Sequence, residues 1–175
     1  MRRKIARMDK HIFLTGEIQV GKSTIIKKYL DAHPELRVGG FRTVWKSRWS
    51  EEKSSFHIVP AMGDVPLTEE NCVGIRGGKW PNRIRENYPD VYDIVGVRLL
   101  ETSKDCDLIL MDEIGPGEND AVEFHRAVLE LLDGDIPILG VVQQKPGVLP
   151  DLVRAHPNVR VIAVTTENRD TQLIP

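Results

Sequence analysis

Ile12-Phe13-Leu14-Thr15-Gly16-Glu17-Ile18-Gln19-Val20-Gly21-Lys22-Ser23-Thr24 decides the fold, because an apolar run enters a loop with the spacing G-x-x-x-x-G-K-[ST]. Two glycines let such a backbone turn tightly enough for successive N–H groups to point inward at phosphate oxygens. The helix that follows adds the positive end of its dipole. The candidate nucleotide-binding residues are therefore Gly16, Glu17, Ile18, Gln19, Val20, Gly21, Lys22, Ser23 and Thr24. Lys22 is expected to reach the β- and γ-phosphates as a point charge, and the Ser23 hydroxyl to ligate a magnesium ion between them. The stretch after the loop supports this placement, with Ile25, Ile26, Tyr29 and Leu30 at helical spacing and Pro34 as a stop.

A second signal lies further on, where Asp107-Leu108-Ile109-Leu110-Met111 runs into Asp112-Glu113. A buried parallel strand that ends in acids supplies what a magnesium site beside a phosphate loop needs. Asp112 is expected to hold the ion as the partner of Ser23, and Glu113 to polarise the attacking water and accept its proton.

The remaining composition narrows the field. A chain of 175 residues fits one α/β domain, here 1–175, and a formal net charge of −2 argues against a protein built to hold nucleic acid. The basic start, Met1-Arg2-Arg3-Lys4-Ile5-Ala6-Arg7, lacks interleaved aromatics and an apolar core segment, so it reads as a solvated tail rather than a nucleic-acid arm or a secretory signal. No apolar run is long enough to cross a bilayer. Cys72 and Cys106 stand in no ligand spacing and read as reduced thiols of a cytoplasmic protein, and the five histidines are too scattered for a zinc site.

Elsewhere strands alternate with helices. A loop entering a strand is expected over 36–44, strands over 56–60, 136–142 and 159–164, and helices after Asn119 or Asp120 as a cap and over 150–156. Ala121, Phe124, Val128, Leu131 and Leu132 form the apolar stripe of the first of these helices. Between about 63 and 89 the pattern dissolves into Gly, Pro, Asn and charge, which predicts an irregular insertion and candidate lid. Its Arg76-Gly77-Gly78-Lys79 and Arg83-Ile84-Arg85 clusters fit either a phosphate lid or a solvated loop. The alternation implies right-handed crossovers and an α/β architecture: a mainly parallel sheet with helices on both faces, its ligand beyond the carboxyl ends of the strands.

The order of elements has a further reading. A phosphate loop near the amino terminus is followed by Gly40-Phe41-Arg42-Thr43, by Asp112-Glu113-Ile114-Gly115 with Glu118 and Phe124, and by Thr165-Thr166-Glu167-Asn168-Arg169-Asp170. This order resembles the small nucleoside-triphosphatase family known from thermophiles and from a human cancer-related homologue. The resemblance implies a P-loop NTPase three-layer fold. It also implies magnesium-dependent hydrolysis of ATP, GTP and other nucleoside triphosphates to the diphosphate and phosphate. Lys22, Ser23, Asp112 and Glu113 match its phosphate loop and acids, and Asn168 and Arg169 match a late motif placed near the nucleobase. An Asn amide can bond a base edge and an Arg plane can stack on it, although Asn168 and Asp170 fit a simple turn equally well. This chain has Gln19 where the family commonly has glycine and Gly117 where it has methionine. Arg48, Arg42 and Arg169 are the candidates for the cation that completes the transition state.

Two other readings use the same loop. A phosphotransferase would pass phosphate to a hydroxyl-bearing nucleoside or small metabolite held by the 63–89 segment. A nucleotide-dependent switch or assembly protein would bind a triphosphate with little turnover and answer to a protein partner. Trp45, Trp49 and Trp80 are candidates for that partner surface, for a lid, or for burial against the sheet.

Overall fold

The computed structural model describes residues 10–50, 52–79, 81, 83–172 and 174; the side chains of 48–50 are outside the description, as is Trp80. The apolar run before the loop is strand β1 (His11–Thr15), and helix α1 (Lys22–Ala32) begins at the lysine of the loop. Strands β2 (Val38–Ser50) and β3 (Lys53–Pro60) form a long hairpin, followed by β4 (Cys72–Gly77) and β5 (Ile84–Asn87). A continuous helical run then comprises α2 (Pro89–Val91), a π-helical turn (Tyr92–Gly96) and α3 (Val97–Glu101). The acid-bearing strand β6 (Leu108–Ile114), α4 (Val122–Asp133), β7 (Ile138–Val142), α5 (Val148–Ala155) and β8 (Val159–Ala163) complete the order.

Among the described residues eight strands join one sheet in the order β5-β4-β3-β2-β6-β7-β1-β8. From β2 to β8 every neighbouring pair is parallel, whereas β2–β3, β3–β4 and β4–β5 are antiparallel. The phosphate-loop strand β1 therefore has β7 on one side and β8 on the other, and β7 separates it from the acid-bearing β6.

Alternation of side chains along each parallel strand builds three layers. Phe13, Ile109, Met111, Ile138 and Val142 face one side and pack with Tyr92, Leu100, Phe124, Val128, Leu132, Leu149 and Val153 from the helical run, α4 and α5. Their neighbours Ile12, Leu14, Leu108, Leu110, Leu139 and Val141 face the other side and pack with Ile25 and Ile26 of α1. Fully burying each such Leu, Ile or Phe contributes about 1.5–3 kcal/mol. Phe13 lies over Gly140, where an added Cβ would come within 2.3 Å of the ring.

Three expectations change. The 63–89 segment is not irregular throughout, because β4 and β5 carry the sheet outward by two antiparallel strands. Its Arg76 is committed to that edge: it donates to the Ile75 and Glu86 carbonyls and to Asn87 Oδ1, with its guanidinium 5.5 Å from the Phe56 ring centre. The helical run from Pro89 adds an element beyond the expected ones, and Pro89 at a first helical position with Val91, Tyr92, Val95, Leu99 and Leu100 behind it is its signal in the sequence. Neither Asn119 nor Asp120 caps α4; Asp93 does so from the neighbouring helical run, accepting from the Phe124 N–H at 2.8 Å. Asn119 instead accepts from the Val148 N–H at 3.0 Å and so caps α5.

Candidate active site

The carboxyl ends of β1, β6, β7 and β8 emerge on the same edge of the sheet because these strands are parallel. At β1 the chain turns through Gly16 (φ 141°), Gln19 (φ 62°) and Gly21 (φ 115°) before α1 begins. Gly16 passes beneath the end of β8, and a Cβ there would lie 2.4 Å from the Val164 carbonyl oxygen. Gln19 occupies the left-handed region that glycine adopts without cost, at the position where the resembled family commonly has glycine.

Lys22 folds back into this loop. Its ammonium donates to the Gly16 carbonyl at 2.9 Å and to the Glu17 carbonyl at 2.7 Å. Burial lowers its pKa, while Glu113 and Asp112 act in the opposite direction. Ser23, at the start of α1, lies beside the Asp112 carboxylate at the end of β6 and favours its charged form. Asp112 has its pKa raised to about 6, chiefly by burial and then by the neighbouring Glu113 charge; Ser23, Lys22 and Arg42 oppose the shift. The four residues at the centre of the sequence reading, Lys22, Ser23, Asp112 and Glu113, are thus brought together.

The hydroxyl of Ser23 and the carboxylate of Asp112 are neighbouring hard oxygen donors, and this donor chemistry fits magnesium. Among the described residues no group of three or more His, Cys, Asp and Glu converges on one point. Magnesium suits such a place, because it takes one or two protein oxygens and fills its shell with water and phosphate.

Two side chains and a glycine, absent from the sequence reading of the site or assigned there only to a motif, lie around Glu113. Gln143, just past β7, donates from Nε2 to Glu113 Oε1 at 2.5 Å. Gly115 has the Gln143 amide against it, so that a Cβ would lie 2.7 Å from Gln143 Cδ. Glu118 is buried, accepts the Gly115 N–H at both carboxylate oxygens (3.1 Å each), and has its pKa raised to about 8 by burial. Sequence offered no marker for Gln143, since only strand order places the end of β7 beside the end of β6.

The late motif divides. Asn168 closes a turn: its Oδ1 accepts the Thr165 N–H at 2.8 Å and its Nδ2 donates to the Ala163 carbonyl at 3.0 Å. Arg169 lies across from Gly21 and, with Gln19, Gly21, Thr24, Ile25, Lys28 and Asp170, lines a cleft of about 230 Å³ beside the loop. Of the other candidate cations, Arg42 is registered opposite Asp112 but donates to the Pro60 and Gly63 carbonyls and to Asp64. The Arg48 side chain, like those of Trp49 and Trp80, lies outside the described residues, and Trp45 is exposed. No helix among the described residues is long and apolar enough to cross a membrane.

Comparison with known proteins bears on the family and the fold. The model of the family described as NTPase matches residues 11–174. The nucleoside-triphosphatase THEP1 of Methanosarcina acetivorans is 32% identical over 91% of this chain and 90% of its own length. The protein of the same name from Thermotoga maritima is 27% identical, over 93% of this chain and 90% of its own. Among solved structures, THEP1 from Aquifex aeolicus superposes with a TM-score of 0.68 at 23% identity, covering 91% of this chain and 92% of that one. A human cancer-related nucleoside triphosphatase gives 0.65 at 23% identity, covering 93% and 92%. These two likenesses concern the fold.

Proposed function

The chain belongs to the NTPase family, and on that premise we propose that it hydrolyses nucleoside triphosphates to the diphosphate and phosphate at the edge where β1 and β6 end. The observation that carries this reading is the strand order, which brings the loop after β1 and the Asp112-Glu113 end of β6 to one edge of the sheet with only β7 between them. In the reaction the Lys22 ammonium exchanges the Gly16 and Glu17 carbonyls for β- and γ-phosphate oxygens, and the loop N–H groups take the remaining phosphate charge. Ser23 and Asp112 would hold magnesium, which would supply divalent charge to offset that of the phosphates.

Glu113 orients a water behind the γ-phosphorus and takes its proton as the new P–O bond forms. The bond to the bridging β–γ oxygen breaks, and Lys22 offsets the charge left on the departing diphosphate. The base is taken by the cleft beside Thr24, where the guanidinium plane of Arg169 offers a stacking face. Asn168 serves there by shaping the turn that carries Arg169. A stacking contact accepts every base, which supports a broad substrate range.

The test is phosphate release from ATP, GTP, CTP and UTP with and without magnesium, for wild type and Glu113→Gln. Metal-dependent release from several triphosphates that collapses in the variant, with binding retained, is the expected result. Release that persists undiminished in Glu113→Gln sinks the assignment of the base.

A further inference from the structure

We propose that Gln143 is the positioning residue for Glu113, holding its carboxylate in the orientation from which it activates water. The inference rests on the role given to Glu113 above and adds a residue from a different strand. Its geometric basis is threefold. Gln143 Nε2 donates to Glu113 Oε1 at 2.5 Å. Its own backbone is fixed on both sides: its N–H donates to the Ile114 carbonyl at 2.9 Å and its carbonyl accepts from Arg154 of α5 at 2.5 Å. Its amide lies flat on Gly115, the one residue type that leaves room, since a Cβ there would come within 2.7 Å of Cδ.

A carboxylate on a flexible stem has many orientations, and only those that present a lone pair to the water contribute to proton abstraction. An amide donor clamped by two backbone bonds removes that freedom at one oxygen of Glu113 and leaves the other to the water. Gln143 itself need touch neither substrate nor water.

Replacing Gln143 by Leu removes the donor at similar volume. The expected result is a kcat lower by about 10–100-fold, with KM, triphosphate affinity and thermal midpoint near those of wild type. In a Glu113→Gln background the same substitution should cost little more, because two residues acting as one unit lose their effect together. Gly115→Ala, which alters no polar side chain, should displace the amide and reproduce the fall in kcat. Unchanged kcat in Gln143→Leu overturns the proposal, and so does a loss of equal size in the Glu113→Gln background. If Glu113→Gln alone keeps full turnover, the role of Glu113 fails instead, and the two failures are read apart in the same set of assays.

Discussion

The Lys22 ammonium and the Glu17 carbonyl oxygen lie 2.7 Å apart, so the cation of the phosphate loop is hydrogen-bonded by its own backbone. A second bond to Gly16 keeps it over the loop, with the acids Glu113 and Asp112 favouring its charged form. Phosphate oxygens can replace both carbonyls without moving the lysine far. Lys22→Ala removes the charge-assisted contacts to two phosphates, and binding of a triphosphate should weaken about 100-fold. Equilibrium titration with ATP and GTP checks it, and an unaltered affinity in a folded variant would remove the loop from the site.

Glu118 gives the stability of the fold an unusual dependence on pH. Its pKa is about 8 in the folded chain against a reference of 4.5, so between those values the folded state keeps a proton that the unfolded state has released. Stability from this group is therefore full below about pH 4.5 and declines as pH rises through 8, opposite to a salt-bridged carboxylate. Asp112, raised to about 6, adds to the decline over the lower part of the range. The slope from one such group approaches about 1.4 kcal/mol per pH unit. Glu118→Gln keeps an oxygen for the Gly115 N–H and has no charge to bury. Urea unfolding from pH 5 to 9 should show a shallower slope for the variant, and parallel curves would mean that Glu118 ionises freely.

Where a function is written in contiguous residues, this sequence was legible. The loop from Gly16 to Thr24 and the Asp112-Glu113 pair are readable as two halves of a candidate site, and the strand order brings them to one edge of the sheet. Strand alternation at β1, β6 and β7 announced the layers. What escaped depends on partners distant in sequence. Gln143 acquires its meaning from β7 standing beside β6, and Asn119 caps α5 rather than α4 because the turn after β6 runs against the start of α5. The edge strands β4 and β5 were hidden by Gly74, Gly77 and a high density of charge, which suit an exposed antiparallel edge as well as a loop.

Gly40 is the position at which the β2–β6 pairing tolerates least. It has φ 95°, and a Cβ would meet the Leu110 carbonyl oxygen at 1.9 Å, while its N–H donates to the Ser103 hydroxyl at 2.6 Å. No side chain can yield to relieve a contact with a backbone oxygen. Gly40→Ala should cost more than about 3 kcal/mol. The cost reaches the site as well, because Arg42 and Asp112 are registered two positions further along the same pair. Chemical denaturation checks the first part, and a near-native midpoint would show that β2 has another way to lie against β6.

Gln19 makes the opposite case, a side chain where glycine is the more comfortable residue. Its φ of 62° carries a penalty of about 1 kcal/mol, and glycine would remove that penalty while adding freedom to the unfolded chain. The two terms oppose each other, so Gln19→Gly should change stability by less than about 1 kcal/mol. Its effect on binding separates two roles for the side chain. In the proposed function the loop holds phosphate through backbone N–H groups, which glycine retains. Triphosphate affinity should therefore stay within a few-fold of wild type if Gln19 only spans the turn. Gln19 also lines the cleft with Arg169 and Asp170. A loss of affinity that differs between ATP and CTP would place its amide on the base, and side-by-side titrations with the two nucleotides decide between these outcomes.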